Sequence, residues 1–241
     1  HSDAIQPIFD AIGGERVFLN MQLFRGMYLW YLGAFEAAQR RLEEITAADE
    51  ALGVASSLRR FHLAWLLADR GALDEARALA AQLSAYGQAH HAPLEEFRGR
   101  WVLAEVLRRM ADLEGAEREL SAALALMVPP LEHPGVLATL SALRLAEGRT
   151  GEALAAAEDA VARSAAMGGC GLFRGAFVHL AHAEALHASG AHDRAHQTIA
   201  AARARLLAIA DRIADPAYRQ SFLEHVPENA RTLALARAWL G

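Results

Sequence analysis

The chain has 241 residues, 54% of them hydrophobic, and a formal net charge of −5 with a sequence pI of about 6.1; this length supports one large domain or an extended array, and the acidic balance argues against a nucleic-acid partner, which calls for a basic stripe. All 24 basic residues are arginine, which excludes Schiff-base chemistry, a phosphate-loop lysine and a kinase lysine. The single cysteine, Cys170, excludes an intrachain disulfide and a thiolate metal cluster and fits a reducing cytoplasm, while neither a signal peptide nor an apolar run of membrane-spanning length is present, so no membrane partner is expected.

The first residue is not methionine, and the expectation is a part of a longer protein. Residues 3–12 read as a leftover or capping helix. From residue 15 the pattern is helical nearly throughout, as pairs at 15–52, 54–87, 94–127, 135–167 and 172–213. Between the third and fourth pairs, "VPPLEHPGV" (128–136) reads as a proline-broken loop. Between the fourth and fifth, "GGCGLF" (168–173) is the second break. Both fall where a solenoid places its turns, so 1–241 is expected to be a single superhelical domain.

Each pair turns at the same kind of corner. Aligned on Gly33, Gly71, Ala111, Gly148 and Gly190, the corners recur at spacings of 38, 40, 37 and 42 residues. Five residues after each corner stands an alanine: Ala38, Ala76, Ala116, Ala153 and Ala195. Seven residues before stands a small residue: Gly26, Ala64, Ala104, Ser141 and Ala183. Four residues before, the column reads Leu29, Leu67, Leu107, Arg144 and Leu186, with the fourth repeat breaking the rule. Two helices joined by a tight corner must approach to about 8–10 Å, which requires small residues where they cross. The corner wants glycine, which reaches left-handed dihedrals cheaply at a helix end.

This small–glycine–alanine pattern resembles the tetratricopeptide repeat over residues 15–213. The units are longer than the usual repeat of about 34 residues, and that family's closing proline is missing from each. The resemblance implies an all-α, right-handed α-solenoid of about five helix pairs. After Asp215-Pro216 the register changes, and 216–241 reads as the atypical cap that seals a final repeat. The tail "FLEHVPENARTLALARAWLG" is similar to the C-terminal end of long bacterial signalling proteins of the myxobacterial type, which join a Ser/Thr kinase or cyclase to an AAA-type ATPase and a tetratricopeptide-like array. It implies a regulatory or scaffold part of such a protein; the kinase and ATPase motifs themselves are absent from these 241 residues.

In this repeat type the first helix of each pair lines the concave face. That implies a groove drawn from Asn20, Leu23, Met27 and Trp30 in the first repeat and Phe61 and Trp65 in the second. Arg98, Trp101, Glu105 and Arg108 follow in the third, and Phe177, Glu184 and His187 in the fifth. Three tryptophans from consecutive repeats are candidate anchors for a peptide or helix, with Arg98 and Arg108 for a carboxylate. The competing expectation is that a tight superhelix buries these rings against neighbouring repeats. Asn20 suits a carboxylate clamp, but no lysine exists to join it.

Glu184-x-x-His187 has the spacing of one half of a carboxylate-bridged di-iron site, which needs two such motifs and two further glutamates. Only one is present, so His179, His182, His192 and His196 read as ordinary polar histidines, and no metal or other cofactor is expected. No nucleophile elbow or phosphate loop appears. The expectation is therefore a non-enzymatic interaction array whose partner is a protein, a peptide or another domain of the same full-length chain. The alternative is a small-molecule-sensing array that controls oligomerisation of an attached ATPase.

Overall fold

The computed structural model describes residues 15–51, 57–168 and 175–241. The expected helix at 3–12 and Cys170 lie outside them. Among the described residues there are twelve α-helices, one 3-10 turn and no strand. The pairs are α1 (Glu15–Tyr31) with α2 (Phe35–Ala51), α3 (Ser57–Asp69) with α4 (Leu73–Ala89), and α5 (Pro93–Arg109) with α6 (Leu113–Leu124). Then come α7 (His133–Ala146) with α8 (Thr150–Ala166) and α9 (Gly175–Ala188) with α10 (His192–Ala210). Two short helices follow, α11 (Pro216–Glu224) and α12 (Pro227–Leu240). The loop at 128–136 is shorter than the sequence reading. Pro130–Glu132 forms a 3-10 turn and His133 already begins α7, because a proline in a first helical turn forfeits no hydrogen bond.

All five corner residues have left-handed dihedrals: Gly33 (φ 74°), Gly71 (φ 82°), Ala111 (φ 65°), Gly148 (φ 75°) and Gly190 (φ 84°). Each corner closes with the same two hydrogen bonds. In the first, Gly33 N donates to Trp30 O and Ala34 N to Leu29 O; in the third, Ala111 N donates to Arg108 O and Asp112 N to Leu107 O. These are the paired bonds that end a helix and reverse the chain. Arg144 breaks the leucine column, yet its carbonyl still accepts from Arg149 N, because the corner uses backbone rather than side chain. Ala111 makes the turn without glycine, at a cost of about 1 kcal/mol.

The five alanines after the corners are fully buried, as are Ala64, Ala104, Ser141 and Ala183 before them. At Gly26, an added Cβ would lie 2.8 Å from Leu42 Cδ2. Successive pairs also touch, most closely where α4 meets α5. There a Cβ on Gly99 would fall 2.3 Å from Ser84 N, and one on Gly87 2.2 Å from Glu96 N. The main core runs through the first three pairs and into the fourth. At the far end, Leu235 and Ala236 of α12 pack against Leu180, Ala183 and Ile199 of the last pair. Asp215 starts α11 by accepting from Ala217 N and Tyr218 N.

Candidate binding cavity

The expected aromatic groove is core. Trp30 is 4% exposed, Trp65 0% and Trp101 1%; Leu23, Phe61 and Phe177 are buried with them. The Trp65 and Trp101 rings meet at 5.4 Å and 73°, and Phe61 packs on both. First helices of successive pairs lie against one another, so the face assigned to a partner meets the next repeat instead. Gly135 completes this burial: a Cβ there would sit 2.4 Å from Trp101 Cη2. The Trp101 indole Nε1 donates to Thr139 Oγ1 at 2.9 Å, which satisfies its one polar atom.

The two groove arginines are already committed to carboxylates of this chain. Arg98 donates to Glu132 through two nitrogens, at 3.1 and 2.6 Å, and lies 5.5 Å over the Phe61 ring. Arg108 grips Glu105 with two bonds, at 2.9 and 2.8 Å. Arg109 joins Glu105 (2.7 Å) to Asp69 (3.0 Å), and Trp30 Nε1 donates to the other Asp69 oxygen at 3.0 Å. Burial opposes the charge on Arg109, but Glu105 and Asp69 more than offset it and hold its pKa above the ordinary arginine value. The reading of Arg98 and Arg108 as partner-carboxylate ligands is thus corrected: Glu132 and Glu105 occupy them. Asp69 and Arg109 link repeats about 40 positions apart in sequence and were missed for that reason. Of the remaining candidates, Asn20 is exposed and Met27 half-buried. The cap engages the last two: Glu184 accepts from Arg231 Nε at 2.9 Å, and His187 stacks on Trp239 at 4.3 Å.

The open space lies elsewhere. A cavity of about 460 Å³ is bounded by the ends of α1 and α3, the start of α9, the end of α10 and the two cap helices. Trp30, Tyr31 and Asp69 form one wall; Arg205, Leu206, Ile209 and Arg212 face it from α10 and the turn after it. Phe222, Asn229 and Thr232 contribute the cap side. Asn229 Nδ2 donates to Phe222 O at 2.9 Å, fixing the α11–α12 turn. Arg205 Nη1 donates to His179 Nε2 at 3.0 Å. Burial, then the charges of Arg205 and His182, lower the His179 pKa, so at neutral pH its ring is uncharged and able to accept.

The cap also reaches the first corner. His225 Nδ1 lies 3.4 Å from Gly33 O and 3.0 Å from Ser221 Oγ. A Cβ on Gly33 would collide with Ser221 O at 2.5 Å. The array thereby closes on itself across 192 positions of sequence, and the cavity is the space enclosed. Among the described residues no group of three or more His, Cys, Asp and Glu side chains could hold a metal ion. None of the described helices is long and apolar enough to cross a membrane.

No family model and no curated protein matches the chain. Among solved structures it is similar to a Podosopora anserina chain described as a kinesin light chain with nearly identical TPR-like repeats, at 22% identity and TM-score 0.51, covering 77% of this chain and 93% of that one. It is also similar to the Rap protein in complex with Competence and Sporulation Factor, at 15% identity and TM-score 0.66 over 97% of this chain and 69% of that one. The hetero-tetramer Cut9–Hcn1 of the APC/C matches at 13% identity and TM-score 0.58, over 92% and 43%. At these identities the likeness establishes the fold: an all-α, tetratricopeptide-like solenoid.

Proposed function

We propose that this chain is a recognition array that holds a protein or peptide segment in the cavity enclosed by its first two repeats, its last repeat and its cap. The carrying observation is the cavity itself: about 460 Å³, opening beside buried Trp30 and partly buried Tyr31 and lined by the exposed Arg205 and Arg212. Support comes from the Rap protein, which shares the fold and is described in complex with a separate factor. The resemblance of the tail to those of bacterial signalling proteins favours a regulatory part of a larger protein, acting in the cytoplasm. The occupant is then a separate peptide or a neighbouring domain's segment, and no covalent chemistry is involved.

The test uses Ala176, which is exposed and lines the cavity, so Ala176→Trp fills the space without disturbing the core. The immobilised chain and this variant are each exposed to a peptide digest of source-organism lysate. Peptides kept by the parent and lost by the variant are expected; equal or absent retention overturns the reading. A second reading, small-molecule sensing, is favoured by the cavity volume, which lies in the range of small-ligand pockets of about 300–1,000 Å³. A metabolite that raises the melting temperature without any peptide, and fails to do so with Ala176→Trp, would select it.

A further inference from the structure

We propose that the cavity selects a short peptide bearing two carboxylates about 10 Å apart around an apolar side chain, and that Arg205 and Arg212 make the selection. This rests on the reading of the cavity as a peptide site.

The charge in the wall is asymmetric in what it presents. Its two carboxylates are withdrawn: the Asp69 side chain is 3% exposed and held by Trp30 and Arg109, and Glu228 is 8% exposed. Its two guanidiniums, Arg205 and Arg212, are both exposed. A ligand entering this space therefore meets positive charge. Between the two arginines stands Ile209, 37% exposed and among the large apolar side chains left open to solvent. The helical path continues past α10, since Asp211 N donates to Leu207 O and Arg212 N to Ile209 O. Seven residues at about 1.5 Å each separate the arginines by about 10 Å and return them to one face, with Ile209 between.

Arginine binds a carboxylate through two parallel N–H bonds, which supplies direction as well as charge. Arg205 is already steered by one bond to His179 Nε2, which leaves its remaining N–H groups for a ligand. With Ile209, Trp30 and Phe222 give the wall its apolar part. In a peptide of polyproline II form, which has three residues per turn and rises about 3.1 Å per residue, residues one and four share a face about 9 Å apart, so the matching ligand has an acid at each of these positions and an apolar residue between.

The experiment uses two blocked tetrapeptide libraries on the whole chain. Both carry mixed Leu, Ile and Phe at positions two and three; one has Glu at positions one and four, the other Gln. Binding is read by calorimetry at low and high salt. The Glu library should bind at least about tenfold tighter. That preference should shrink in Arg205→Gln and in Arg212→Gln, and vanish in the double variant with its melting temperature unchanged. Equal binding of the two libraries, or a preference that survives the double variant, overturns the proposal. If neither library binds while lysate peptides are still lost by Ala176→Trp, the charge selection falls and the peptide site stands. If lysate peptides are not retained either, the peptide reading itself has failed.

Discussion

Trp65 has no exposed surface and meets Phe61 and Trp101 edge to face. Its removal is a core event, so Trp65→Ala should cost about 3–5 kcal/mol of unfolding free energy, measured by urea denaturation. A variant with parental stability would place the ring at the surface after all. Gly135→Ala acts in the opposite direction, by adding a methyl group where Trp101 already stands. Overpacking of this kind costs about 1–3 kcal/mol. His62 adds a pH dependence from the same core. Burial, with a smaller push from Arg98, lowers its pKa to about 3. The folded state therefore holds His62 neutral, while the unfolded chain binds a proton below the ordinary value of about 6.5. Stability is complete above that pH and falls as pH drops from there towards 3, by up to about 1.4 kcal/mol per pH unit for one proton. His179 and His182 are lowered too and slope the same way. His62→Leu should remove one proton's share of the slope between pH 6 and 4; an unchanged slope would deny that His62 is neutral in the fold.

At the scale of helices and corners, the sequence carried most of the architecture. A corner is a local object: five left-handed residues, an alanine five positions on, and a small residue seven positions back all lie within one stretch of chain. That is why even Ala111, which lacks the glycine, could be aligned by its neighbours. Asp112 anchors the helix that follows, accepting from Gly115 N at 2.8 Å. Asp112→Ala should cost about 1 kcal/mol, read as a lower denaturation midpoint at constant slope. What the sequence hid at this scale is what one element does to the next. Gly87, Gly99 and Gly135 are spelled like any helical glycine, and only the neighbouring backbone or ring reveals why no side chain fits. The groove residues failed for the same reason. Periodicity gave the face on which Trp65 and Trp101 lie, but not that the winding of the array presses this face onto the next repeat.

The whole molecule is defined by a contact that no periodicity announces. The cavity walls come from residues as far apart as Trp30 and Thr232, so its site residues were illegible until the cap was seen to return to the first corner. Gly33 is the place to test that closure. The four glycine corners share one dihedral demand, yet added Cβ atoms at Gly71, Gly148 and Gly190 meet nothing within 4 Å. Gly71→Ala should therefore cost about 1 kcal/mol of backbone strain, the burden Ala111 already carries, and leave the cap alone. Gly33→Ala bears the same strain and also drives a methyl group into the Ser221 carbonyl at 2.5 Å. A backbone carbonyl cannot rotate aside as a side chain would, so α11 must lift from the corner, and the His225 contact to Gly33 O goes with it. Hydrogen exchange then separates the two variants. Amides of 217–224 should exchange faster in Gly33→Ala than in the parent, with those of Gly71→Ala unchanged. A cavity ligand should also enter and leave faster in the opened variant. Identical exchange across 217–224 in the two variants would show that the cap keeps its place through α12 alone, and that the ring is closed without help from its first corner.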